Sequence, residues 1–143
     1  MDSRSLVVIR PGMPGLSELM SRAGAEMGPI DVGIGIWDAV ASRLIGAAVF
    51  NNYDFANIEI SVYLDESARL TKGMIEAMFT YPFLELQCAR VTARTRAGNA
   101  KTRQLIRRLG FKPEGRLRWY FGDDDAMIYG MPKAECKWIP ANG

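Results

Sequence analysis

The sequence predicts an α+β fold, a single domain over residues 1–143 with a mixed, mostly antiparallel sheet flanked by helices. Three observations predict it. A chain of 143 residues suits one hydrophobic core. Apolar residues alternate with period two through 57–64, where Ile58, Ile60, Val62 and Leu64 oppose Asn57, Glu59, Ser61 and Tyr63. From Thr71 the spacing turns helical, and strands and helices then interleave in the order β-α-β-β-β-α-β-α-β-β.

The first strand is the short apolar run 6–9. Pro11-Gly12 and Pro14-Gly15 punctuate the chain after it. Leu16, Leu19, Met20 and Ala23 then recur at helical spacing, and Gly24 and Gly28 help end that helix. Val32, Ile34 and Ile36 alternate with small residues, and a second apolar run follows at 43–50. The segment 38–42 between them predicts a hairpin. Gly33-Ile34-Gly35 lacks the third glycine and the helix of a dinucleotide fingerprint, so it reads as a close-packed strand.

The helix from Thr71 carries Met74, Ile75, Met78 and Tyr81 on one face, and Pro82 ends or kinks it. Residues 90–94 form a strand, with Val91 and Ala93 opposite Thr92 and Arg94. Asn99 suits the N-cap of the next helix, and Gly110 suits a left-handed stop. Leu105, Ile106 and Leu109 should face the sheet, with Arg103 and Arg107 on the wet side. Two last strands are expected at 116–121 and 126–131. The acidic run Asp123-Asp124-Asp125 is read as a solvated turn rather than a cation site.

Composition excludes several chemistries. The chain has no histidine, so no Ser-His-Asp or Cys-His nucleophile is possible, nor a histidine-ligated zinc site. Any general base must be a carboxylate, tyrosine, lysine, terminus or water. Cys88 and Cys136 are too few for a disulfide framework or a thiolate-only zinc site. No stretch has the pattern of a signal peptide or the length of an apolar membrane span, which leads to an expected cytoplasmic location. A net charge of +2 does not call for nucleic acid, and the arginine-rich helix lacks aromatics for stacking bases.

The segment from Asn99 through Thr102 to Gly110-Phe111, followed by Glu114-Gly115, resembles the C-terminal signature of the GCN5-related N-acetyltransferases. Ile128-Tyr129-Gly130-Met131 and the Glu135 to Trp138 ending also resemble members of that superfamily, including phage-encoded ones. The resemblance covers roughly residues 30–138. It implies the acetyltransferase-like fold, with a shortened N-terminal helical region. Only one short helix fits between Arg10 and Val32, where the family usually has two.

The resemblance also implies acetyl-CoA as co-substrate and an amine as acceptor, joined by direct transfer. In the family the acyl-CoA loop follows the central strand and opens the next helix. The best match here is Leu70 to Ile75, in which Gly73 fits, Leu70 replaces the basic or amide residue with Arg69 one step early, and Ile75 replaces the small residue; the implied cofactor contacts are Arg69, Thr71, Lys72, Gly73 and Met74. A helix N-terminus presents unpaired N–H groups to a pyrophosphate, and a glycine there permits close approach. Asn99 has two compatible readings, as a helix cap and, with Thr102, as a contact to the CoA arm. Glu59 resembles the family's strand glutamate, the general base; it also fits a plain solvent-facing carboxylate. The family's acid, a tyrosine four residues before the Gly-Phe glycine, is replaced by Ile106. Two functions therefore stay open: an N-acetyltransferase, or a non-catalytic member of the same fold. The latter would serve in a homo-oligomer or larger assembly such as a phage virion.

Overall fold

A computed structural model describes residues 3–23, 27–65 and 68–140. The elements run β1 (Arg4–Ile9), α1 (Leu16–Ala23), β2 (Val32–Asp38), β3 (Arg43–Asp54), β4 (Asn57–Leu64), α2 (Lys72–Thr80), β5 (Arg90–Arg96), α3 (Ala100–Leu109), β6 (Lys112–Leu117) and β7 (Ala126–Pro132). The strands form one sheet in the order β1-β2-β3-β4-β5-β7-β6. Every neighbouring pair is antiparallel except β4 with β5. The helix α2 makes the crossover that a parallel pair requires. This is the α+β fold expected from the sequence, with three α-helices among the described residues. Gly24, expected to help end α1, lies outside the described residues.

Alternation divides the sheet into two faces. On one, Ile58, Ile60, Val62, Val91 and Ala93 pack against Ile75, Met78 and Phe79 of α2 and Ile106 and Leu109 of α3. On the other, Leu16, Leu19 and Met20 of α1 cover Ile9, Leu44, Ala47 and Val49. Gly33 packs tightly, since a Cβ there would lie 2.7 Å from the Ala48 carbonyl oxygen. The reading of Gly33-Ile34-Gly35 as a close-packed strand holds.

Two local expectations need correction, and the one for Pro82 is met with an addition. The sixth strand is Lys112–Leu117, not 116–121. Trp119 turns the chain with φ of +59°, so the aromatic run leaves the sheet instead of extending it. Pro82 ends α2 but not the winding: Tyr81–Glu85 continue as one π-helical turn, with Leu86 N–H donating to the Tyr81 carbonyl. Finally, Arg103 does not sit on the wet side of α3. Its Nε donates to the Tyr129 hydroxyl at 3.2 Å and its Nη1 to the Ala97 carbonyl at 3.0 Å. Arg107 is exposed as expected, Ile106 and Leu109 are buried, and Leu105 is half-buried.

Candidate functional site

The parallel pair β4–β5 is short. It matches Asn57–Ile60 to Arg90–Ala93 and stops there. Beyond that point β4 stays on β3 as far as Leu64, while β5 stays on β7 as far as Arg96. The two strands part: among the described residues, the β4–β5 pairing does not continue past the Ile60–Ala93 pair. An open slot of about 670 Å³ lies between the end of β4 and α3, walled by Tyr63, Leu64 and Asp65 on one side and by Asn99, Thr102 and Leu105 on the other.

The α3 wall is built by its cap. Asn99 Oδ1 accepts from the Thr102 N–H at 3.1 Å, and Gly110 closes the far end at φ of +109°. The helix therefore starts right beside the slot. The start of α2 is capped likewise, with Thr71 Oγ1 accepting from the Met74 N–H at 3.2 Å. The amides of Lys72 and Gly73 lie in the first turn, where no carbonyl of the helix can receive them. Arg69, Thr71, Lys72 and Gly73 are exposed, and a Cβ on Gly73 would meet nothing within 4 Å. The structure thus brings Asn99 and Thr102 into the slot. It does not bring Arg69, Thr71, Lys72, Gly73 or Met74 into that wall; the chain between them and Asp65 includes residues 66 and 67, outside the described set.

Glu59 sits on the opposite face, toward α1. Its carboxylate accepts from Arg94 Nη1 at 3.2 Å and from Asn52 Nδ2 at 2.9 Å. Both partners line a second groove, of about 1010 Å³, between α1 and Phe121. Arg94 and Asn52 were not singled out from the sequence, although Arg94 was legible on the same period-two face as Thr92.

The acidic run is more than a solvated turn. Asp123 takes Arg96 at 2.7 Å; Asp124 accepts from the Gly98 N–H at 2.9 Å. Asp125 takes Arg116 at 2.6 Å and the Trp119 N–H at 2.8 Å. These contacts fasten the β6–β7 loop to β5 and to the approach of α3. The Arg96 hydrogen bond holds the Asp123 carboxyl below its ordinary range, and the Trp119 amide, then Arg116, do the same for Asp125. Tyr120 and Phe121 lie on the guanidinium groups of Arg94 and Arg96, at 4.7 and 4.5 Å. Cys88 and Cys136 are buried, and desolvation pushes both thiols up.

The acetyltransferase (GNAT) domain model matches residues 17–112, well over half of the chain. This protein belongs to the GNAT acetyltransferase domain family. No curated protein matches it. A solved probable acetyltransferase shares 29% identity over 73% of this GNAT chain, with a TM-score of 0.59; the chain spans 63% of that protein's length. A dodecameric spermidine N-acetyltransferase from Vibrio cholerae superposes with a TM-score of 0.68 at 14% identity, covering 92% of this chain and 95% of its own. The ribosomal-protein-S5-alanine acetyltransferase from Vibrio fischeri gives 0.66 at 14% identity, covering 98% and 97%. At such identities the last two show the GNAT fold alone. No helix among the described residues is long and apolar enough to cross a membrane.

Proposed function

We propose that this chain is an acyl-CoA-dependent N-acetyltransferase that passes an acetyl group directly from acetyl-CoA to an amine. The parting of β4 from β5 after the Ile60–Ala93 pair carries this reading. It leaves a slot for a pantetheine arm, with the main chain at the end of β4 beside it for a thioester carbonyl. Asn99 and Thr102 contact the arm from α3. The first-turn amides of α2, with Arg69, Thr71, Lys72, Gly73 and Met74 around them, hold the pyrophosphate. The open space at Gly73 supports that part. Bound acetyl-CoA supplies the activated acyl group. Glu59 acts as base, through water, on the α1 face where the acceptor enters. Cytoplasmic residence, in a host cell if the protein is phage-encoded, belongs to the same proposal.

A second reading is a non-catalytic GNAT-fold protein acting in a larger assembly, such as a phage particle. Two observations favour it. Glu59 is already engaged by Arg94 and Asn52, and Ile106, in the place of the family's acid, is sunk in the core. A homo-oligomer suits either reading and would appear in light scattering. Calorimetric titration with acetyl-CoA separates the two. Saturable binding supports the enzyme; no heat at millimolar ligand supports the assembly protein.

A further inference from the structure

We propose that the outer edge of β1 pairs antiparallel with β1 of a second copy of this chain, joining two sheets across a two-fold axis at Leu6. The inference stands under either reading of the function.

Among the described residues, β1 and β6 are the two edges of the sheet. β6 carries features that blunt an edge: Pro113 within it, Lys112 and Arg116 on it, and a register shift between Pro113 and Gly115. β1 has neither a proline nor a shift. It matches β2 over six consecutive pairs, from Arg4 with Asp38 to Ile9 with Gly33. One hydrogen bond gives the direction of its main chain. The Ser3 carbonyl accepts from the Ala39 N–H at 2.9 Å, so Ser3, Ser5, Val7 and Ile9 address β2, and Leu6 and Val8 address the outer edge. Leu6 and Val8 are 42% and 57% exposed. Leu6 also borders an apolar cleft with Ile34, Ile36, Leu70 and Met74, so the face that a second copy would continue is itself apolar.

The strand is its own complement. Setting Leu6 against Leu6 of the second copy puts Val8 opposite Arg4 and Ser5 opposite Val7. A register centred on Val7 would set Arg4 against Arg10, two like charges. A register centred on Val8 needs Arg10 in the ladder. The chain has already turned there: the Arg10 carbonyl accepts from the Met13 N–H at 3.4 Å, and its own N–H donates to Met13 Sδ at 3.3 Å. The ends of the edge match as well. Val40, in the turn beyond Asp38, and Ile30, just before β2, are 85% and 94% exposed. Antiparallel pairing brings the Ile30 end of one copy beside the Val40 end of the other. A strand of six residues falls short of the roughly 800 Å² per partner that a standard interface buries, and these ends supply further apolar area.

Sedimentation equilibrium and cysteine crosslinking test the pairing. Wild type should sediment at twice the chain mass. Val8→Lys places a positive charge opposite Arg4 of the second copy, twice per dimer. It should raise the dimer dissociation constant about tenfold or more, with an unchanged circular dichroism spectrum. The two Leu6 Cα atoms would form a hydrogen-bonded pair about 5.5 Å apart, within the span of about 4.4–6.8 Å that a disulfide bridges. Leu6→Cys should therefore give a covalent dimer on mild oxidation. Val8→Cys should not, because the two copies of residue 8 would stand four residues apart, about 13 Å. The native Cys88 and Cys136 are buried and serve as the background in wild type. A wild-type monomer, a dimer that Val8→Lys leaves unchanged, or no crosslink at Leu6 would each overturn the pairing. Crosslinking at Val8 instead of Leu6 would overturn the axis at Leu6.

Discussion

Arg94 reaches from β5 to the carboxylate of Glu59 on β4, with Nη1 3.2 Å from each of its oxygens. Glu59 pairs with Thr92 in the parallel register, so Arg94 stands one step further along the same face. If Glu59 is the base, Glu59→Gln should lower turnover by about 10²-fold or more. Acetyl-CoA affinity should barely change, because the slot walls do not include residue 59. Steady-state kinetics paired with calorimetry would check both halves.

Gly73 offers a cleaner perturbation. A side chain at this position meets no neighbour, so Gly73→Glu should fold normally. It adds bulk and negative charge beside the first-turn amides of α2. Binding of acetyl-CoA should disappear while the circular dichroism and melting curve stay near wild type. A folded variant with unchanged affinity would place the phosphates elsewhere.

The two faces of α3 should respond differently. Leu109 is 2% exposed, and its carbonyl accepts from Trp138 Nε1 at 2.7 Å. Leu109→Ala should cost about 2–5 kcal/mol in chemical denaturation. Arg103→Ala should cost about 1–2 kcal/mol, more than a solvated arginine, because it removes hydrogen bonds to Tyr129 and to the Ala97 carbonyl. A neutral Arg103→Ala would mean that these contacts contribute nothing in solution.

The β6–β7 loop should be sensitive to acid. Asp123 and Asp125 are both depressed in the folded state, so their ties stabilise the loop above the ordinary aspartate range, near pH ~4. That stabilisation is lost as pH falls through the lower, folded values. The protection factor for hydrogen exchange at the Trp119 amide, which donates to Asp125, should hold from neutral pH to about 4 and fall below it. Protection that persists well below that range would show that the carboxylate does not hold the loop.

Parts of this were legible in the sequence for a physical reason. The strict alternation of 57–64 located β4 residue for residue, since a half-buried strand leaves period two in its side chains. Asn99 and Gly110 marked α3 because caps have residue-specific chemistry. The sixth strand was misplaced because Leu117, Trp119, Tyr120 and Phe121 have strand-like side chains. The rings of Tyr120 and Phe121 are used instead on Arg94 and Arg96 and against one another. Lys112, Pro113 and Glu114 look unlike a strand, yet an edge position on β7 tolerates a proline. The slot was not legible, because it depends on where the β4–β5 register ends. No local pattern encodes that long-range pairing.

Amide hydrogen exchange with and without acetyl-CoA tests the site most directly. Ligand should slow exchange around Tyr63, Leu64, Asn99 and Thr102, the two walls of the parting between β4 and β5, and in the first turn of α2. Saturating acetyl-CoA that leaves those amides unchanged, or that protects only the groove on the α1 face, would contradict the assignment of the slot.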